Sequence, residues 1–288
     1  MPKKNILIQL DGDPHASSFD AVTAVDAGVD HLLPYSQVAP EDVESIVHGA
    51  IFTRGPQDLK HTAIFIGGKN TTRAEELAAA VSRTFLGPLR CSVLMDASGC
   101  NTTAAAAVFA AANHLDLSRT KALVLGGTGP VGQRIALLLA RNKTAVWVGS
   151  RTRDRALDVC NAVKAKFPGA HIQPTAMSDA DSLAKHPERF NVVIAAGAAG
   201  TRLVAREQIT SHDRLRLLID LNAVPPSGLE GVEPPDAGRE VDGLVQYGAL
   251  GVGRLKMKIH KAAIQQLFQA NDQVLDAEEV FEIAKRLA

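Results

Sequence analysis

The stretch from Lys121 to Arg151 constrains the fold more than any other: an apolar run, a glycine turn, a helical pattern and a second apolar run follow one another without a gap. Ala122-Leu123-Val124-Leu125 has the form of a buried parallel strand. It passes at once into Gly127-Thr128-Gly129-Pro130-Val131-Gly132, and the helical pattern continues to about Arg141. Strand, glycine turn and helix in that order are what a dinucleotide-binding unit requires. Gly127 is expected to permit the tight turn and Gly129 to let backbone approach a pyrophosphate, which would rest on unpaired N–H groups at the positive end of the helix dipole. Pro130 fits the first helical turn, where no N–H is missed. The next strand, Ala145-Val146-Trp147-Val148, falls at the right spacing.

Sites for NAD commonly end that second strand on an acid, roughly 20 residues after the glycines, that accepts from the ribose 2′-hydroxyl. Ser150 and Arg151 stand there instead. A carboxylate would repel a 2′-phosphate, whereas a guanidinium offers it a planar fork of donors and a serine adds a hydroxyl. The expected cofactor is therefore NADP, held by Gly127, Thr128, Gly129, Pro130, Val131, Gly132, Ser150 and Arg151. Arg153 and Arg155 read as the solvated start of the next helix.

At 288 residues, 46% hydrophobic and 22% charged, the chain has the length of about two domains and the composition of a globular protein. Its formal net charge of zero points to neither nucleic acid nor an anionic membrane as partner. No apolar run reaches the roughly 18 residues of a membrane span. Cys91, Cys100 and Cys160 are scattered, with no pair at metal-ligand spacing, which suits a reducing cytoplasm and predicts no metal site.

Strands and helices alternate before the glycine turn as well. Strands are expected at Ile6 to Leu10, His31 to Pro34, Ala63 to Gly68 and Cys91 to Met95, with helices at Ser18 to Ala27, Pro40 to Gly49, Thr72 to Phe85 and Thr102 to His114. After the turn come strands at Ala122 to Leu125, Ala145 to Val148, His171 to Gln173, Val192 to Ala195 and Leu215 to Leu221. A glycine-studded segment, Gly248 to Gly253, precedes helices from Leu255 to Ala270 and from Asp276 to Ala288. The fold class is α/β: a Rossmann-type parallel sheet over residues 119–253, and an α/β substrate domain of residues 1–118 completed by 254–288.

Lys256 and His260, four residues apart on a helix, share a face. Asp20 sits early in the first helix, where it complements the helix dipole or accepts from a ligand; Asp11 and Asp13 compete with it. In Asp96-Ala97-Ser98-Gly99-Cys100-Asn101-Thr102-Thr103, Asn101 or Thr102 reads as an N-cap, with substrate contact as a second role.

Ser18-Phe19-Asp20, Ile51-Phe52-Thr53-Arg54-Gly55, Ser98 through Thr103, Gly127 through Gly132, Asn222-Ala223-Val224-Pro225-Pro226 and Gly248 through His260 together resemble the NADP-dependent methylene-tetrahydromethanopterin dehydrogenases of methylotrophic bacteria. The resemblance runs nearly the full length. It implies oxidation of a methylene carbon held between two nitrogens of a reduced pterin to the methenyl state by direct hydride transfer to NADP, a separate pterin domain, and a homo-oligomer, with a trimer expected. Lys256, Asp20 and His260 match the residues that family uses around the pterin, so they are the expected catalytic groups. With Asn101 and Thr102 they form the expected substrate site, Lys256 pairing with Asp20 or meeting the pterin carbonyl. Tetrahydrofolate is the alternative carrier. A cyclohydrolase would want Tyr-x-x-x-Lys, which neither Tyr35 nor Tyr247 provides. A non-catalytic NADP sensor is a second rival. A shikimate-type dehydrogenase is a third, for which Lys69 and Asp96 make a poor catalytic pair.

Overall fold

A computed structural model describes residues 3–177, 183–184 and 186–287. In chain order the elements are β1 (Ile6–Leu10), α1 (Ser18–Asp26), β2 (His31–Tyr35), α2 (Val43–Ile51), β3 (Thr62–Ile66), α3 (Thr71–Thr84), β4 (Ser92–Met95) and α4 (Cys100–Ala112). There follow β5 (Lys121–Leu125), α5 (Pro130–Arg141), β6 (Ala145–Ser150), α6 (Arg153–Lys166), β7 (Ile172–Ala176), β8 (Val192–Ala195), α7 (Arg206–Thr210) and β9 (Leu217–Asp220). The chain closes with β10 (Ala237–Val241), β11 (Leu244–Tyr247), α8 (Ala249–Leu267), β12 (Val274–Leu275) and α9 (Ala277–Lys285). Two compact units result, Met1–Thr102 with Met257–Ala288, and Thr103–Lys256. The division falls inside α4 and α8. The sequence reading had set it at 118 and 254, where polar and glycine-rich residues suggested linkers; both breaks instead lie within continuous helix.

The first unit is a parallel sheet in the order β12-β4-β3-β1-β2. β3 is buried at every residue, as its unbroken apolar run requires of a strand covered on both faces. Ile8, Leu10, Ile64, Ile66 and Val93 point to one face and pack with Val43, Val47 and Ile51 of α2 and Leu77 and Val81 of α3. Asn70 starts α3 by accepting the Arg73 N–H at 3.1 Å. The carboxyl-terminal segment adds β12 to β4 and then α9, which Asp276 caps through the Glu278 N–H.

The second unit is a seven-stranded sheet in the order β10-β11-β9-β8-β5-β6-β7, parallel except for β10. Strand order reverses between β5 and β8, and ligands of such sheets gather outside the carboxyl ends of the strands at that reversal. The β10–β11 hairpin, absent from the sequence expectation, turns on Asp242 and Gly243, both at positive φ, which is the Asp-Gly signature of a two-residue hairpin.

The segment Gly248 to Gly253 is corrected too: α8 begins at Ala249, so most of it is helix. An added Cβ at Gly248 would land on the Glu233 carbonyl, and one at Gly251 on that of Asp236. Leu250 and Gly251 both donate backbone N–H groups to the Pro234 carbonyl, at 2.8 and 3.2 Å. These glycines let the start of α8 press on the 233–236 backbone.

Candidate active site

β5 ends on a turn whose sharpest residue is Gly126, at φ +67°. The expectation had given that job to Gly127; only Gly126 adopts the left-handed conformation, and a Cβ there would sit 2.5 Å from the Gly197 Cα. Gly127 serves close packing on β6, since its Cβ would meet Val148 Cγ1 at 2.7 Å. Its N–H donates to the Gly149 carbonyl at 3.1 Å, tying the turn to the strand end that carries Ser150 and Arg151. Gly129 is the N-cap of α5, with Pro130 in the first turn. At Gly132 a Cβ would meet the Gly126 carbonyl oxygen at 2.5 Å, so α5 can lie against the turn only without a side chain there.

A cavity of about 300 Å³ opens over this turn. Gly126, Thr128 and Gly129 form one wall; Ser150, Arg151 and Arg155 form another, and the chain just beyond β8, Ala196 to Ala198, completes it. Gly127, Pro130, Val131 and Gly132 do not line it; they shape it. Arg155, expected in solvent, reaches the cavity because α6 begins at Arg153 and brings it round beside Arg151. The Ser150 Oγ accepts the Thr152 N–H at 3.3 Å, holding the bend between β6 and α6. This donor set fits a nucleotide with a phosphorylated ribose: backbone free of Cβ for the pyrophosphate, two guanidiniums and a hydroxyl beside the strand end, and no carboxylate among the described lining residues.

Past β9, the buried Asp220 carboxylate accepts from the Leu229 N–H at 2.8 Å and the Asn222 N–H at 3.0 Å. Desolvation raises its pKa above the usual carboxylate value, against the pull of those bonds. Asn222 in turn accepts the Val224 N–H at 3.0 Å and donates to the Pro226 carbonyl at 2.9 Å. The Asn222 to Pro226 segment is thus built as a rigid loop.

In the first unit the three competing acids separate by environment. Asp11 is fully buried and accepts the Asp13 and Ser17 N–H groups at 2.8 and 3.0 Å, so it fixes the turn between β1 and α1. Asp13 accepts the Lys69 N–H at 3.0 Å. Asp20 is half-buried on the first turn of α1, its Oδ2 3.3 Å from where a Gly67 Cβ would stand.

Asn101 and Thr102 are buried, and the cap of α4 is neither of them. Asp96 accepts the N–H groups of both, at 2.8 and 3.0 Å, and the Thr102 hydroxyl at 2.6 Å, while the Asn101 amide donates to the Met95 carbonyl. The upstream acid outcompetes the expected caps because its two oxygens accept both backbone N–H groups and the Thr102 hydroxyl at once. Their burial assigns them to the β4–α4 junction.

Lys256 and His260 lie one turn apart on α8, yet Lys256 is half-buried and His260 has no exposed surface. The His260 ring stacks on Phe65 at 5.7 Å and faces Phe19 at 6.4 Å, so it supports a surface ring from behind. The cysteines are all buried; burial pushes the Cys91 thiol up to about 12 and that of Cys160 to about 11, which leaves neither as a thiolate nucleophile.

The family described as methylene-tetrahydromethanopterin dehydrogenase, N-terminal, matches residues 18–98, and the shikimate/quinate 5-dehydrogenase family matches residues 109–233. A protein of Methylorubrum extorquens named NAD(P)-dependent methylenetetrahydromethanopterin dehydrogenase is 30% identical over 99% of both chains. The chain belongs to this dehydrogenase family. A second protein of that organism, named bifunctional protein MdtA, is 39% identical, again over 99% of each chain. The fold is shared with shikimate 5-dehydrogenase of Listeria monocytogenes, at a TM-score of 0.56 and 13% identity over 99% of this chain and 96% of that one. The shikimate-family match begins at residue 109, so it leaves out Lys69 and Asp96, and Asp96 is committed to the dehydrogenase's own α4 junction. Membership makes the chain an NAD(P)-dependent oxidoreductase. No helix among the described residues is long and apolar enough to cross a membrane.

Proposed function

We propose that this dehydrogenase oxidises methylene-tetrahydromethanopterin to the methenyl form with NADP, in the cytoplasm, as a homo-oligomer whose expected form is a trimer. The observation that carries the cofactor half is the cavity over Gly126 to Gly129 with Arg151 and Arg155 on its wall. Full-length kinship to the family supports the substrate half.

When bound, NADP supplies the hydride acceptor. The protein's task is orientation, because the cation left on the substrate is shared by two nitrogens as an amidinium and no base has to remove a proton. A donor carbon held at near-attack distance in a dry site has most of what the reaction needs. Asp20 accepts hydrogen bonds from the bound carrier, and Lys256 donates to the pterin carbonyl, which ties up a charge that would otherwise oppose the forming cation. His260 keeps its place in this scheme as a positioning residue behind Phe19. Asn101 and Thr102 hold the strand end from which α4 departs.

The test is formation of NADPH absorbance from saturating NADP, first with methylene-tetrahydromethanopterin and then with methylene-tetrahydrofolate. Rapid formation with the first is expected. Lys256→Ala lowers turnover or pterin affinity while NADP affinity stays, and unchanged kinetics in that variant would remove Lys256 from the site. No turnover of either carrier by a chain that binds NADP would favour a sensor.

A further inference from the structure

The first unit carries a second concavity that the hydride step does not use. At the carboxyl ends of β1 and β3, a cavity of about 440 Å³ opens over Gly12, Gly67 and Gly68 and is walled by Asp13, Arg73 and Glu76. An added Cβ at Gly12 would meet the Arg73 Cγ at 3.0 Å, so the aliphatic stem of Arg73 lies across the bare glycine backbone. Gly67 is a shared wall: it lines this cavity, and the position of its missing Cβ is 3.3 Å from the Asp20 carboxylate. Whatever Asp20 holds is next door.

The charges here are unequally engaged. Asp13 accepts the Lys69 N–H, and Glu76 is more than half exposed. The Arg73 guanidinium, with five donors, makes one bond among the described residues, a long one of 3.4 Å to Glu76. An exposed pair at that distance contributes little, so the guanidinium is readily drawn to a stronger acceptor.

We infer that this cavity receives the anionic arm of the pterin carrier and that Arg73 binds its terminal carboxylate or phosphate. The inference rests on the proposed reaction. Pterin carriers attach their arm through the arylamine whose nitrogen closes the methylene bridge, so the arm leaves the reacting carbon directly and must cross the protein surface beside the ring. A cavity that adjoins Asp20, has a floor free of Cβ and ends at a guanidinium suits a chain of amide and hydroxyl groups ending in an acid. Arg73 would then discriminate carriers by the arm while taking no part in hydride transfer.

Calorimetric titration with four unreacted carriers tests this: tetrahydromethanopterin and its derivative trimmed of the phosphate and terminal diacid, and tetrahydrofolate and tetrahydropteroate. Trimming is expected to weaken binding to the unaltered protein about tenfold, the size of one charge-assisted hydrogen bond. In Arg73→Ala the intact carriers fall to the affinity of the trimmed ones, and Arg73→Lys restores part of the loss. A larger Arg73 effect with tetrahydromethanopterin identifies the phosphate-bearing arm as the source, and one with tetrahydrofolate the glutamate arm. Equal effects of Arg73→Ala on intact and trimmed carriers, or no effect on any, overturn the inference. Because binding is read without turnover, an inactive protein that still shows the Arg73 dependence would sink the proposed reaction and spare the arm site.

Discussion

Removing both guanidiniums from the nucleotide cavity should abolish most of the preference for NADP over NAD. Arg151 and Arg155 line one wall of that cavity, at the end of β6 and the start of α6. Both side chains are exposed, so the 1.5–3 kcal/mol typical of a hydrogen bond to a charged group has to be discounted for solvent screening, to about 1.4 kcal/mol or tenfold each. The two line the same cavity, so their losses should not add fully, and the double variant is expected to weaken NADP between about tenfold and a hundredfold. NAD, which carries no 2′-phosphate, should change by less than about twofold, and the NADP effect should shrink as salt is raised. Calorimetric titration with NADP and with NAD reads both affinities without turnover. Equal weakening of NAD and NADP in Arg151→Ala/Arg155→Ala would refute the reasoning, because the arginines would then be acting on the turn and not on the phosphate.

Gly132→Ala forces a Cβ to within 2.5 Å of the Gly126 carbonyl oxygen and 2.7 Å of the Gly127 Cα, both backbone atoms that no rotamer change can move. A loss of about 1–3 kcal/mol in urea unfolding, with weaker NADP binding, is expected, and an unaltered midpoint would contradict the packing described. His186 has its pKa lowered by burial, and its Nδ1 accepts the Glu188 N–H at 3.1 Å, which requires a neutral ring. The unfolded chain therefore takes up a proton first, near pH 6.5, and this contribution to stability is lost as pH falls below that value. Urea midpoints between pH 7.5 and 5.5 should fall less in His186→Gln than in the unaltered chain; parallel curves would exclude His186 as the cause.

Much of this fold is legible because burial on both faces leaves a strand no choice but a continuous apolar run, as in Ala63 to Ile66 and Ala122 to Leu125. The glycines were harder, since the residue type states only that a side chain is missing. At Gly126 the reason is a left-handed φ, whereas at Gly251 it is the Asp236 carbonyl, which reaches the helix from a loop fifteen residues upstream. Arg155 was legible in principle, four residues after Arg151, once the start of α6 was fixed. Depth is what spacing cannot supply. Asn101 and Thr102 have the chemistry of ligand contacts, yet they lie beneath the surface because Asp96 claims their N–H groups. Lys256 and His260 share a helix face, and a single turn takes α8 from half-buried to fully covered under Phe65 and Phe19, whose positions are set by β3 and α1. His260 is thus held beneath Phe19 and Phe65 with no surface of its own, and Phe19 is the exposed ring of that stack, a depth that the shared helix face could not have shown.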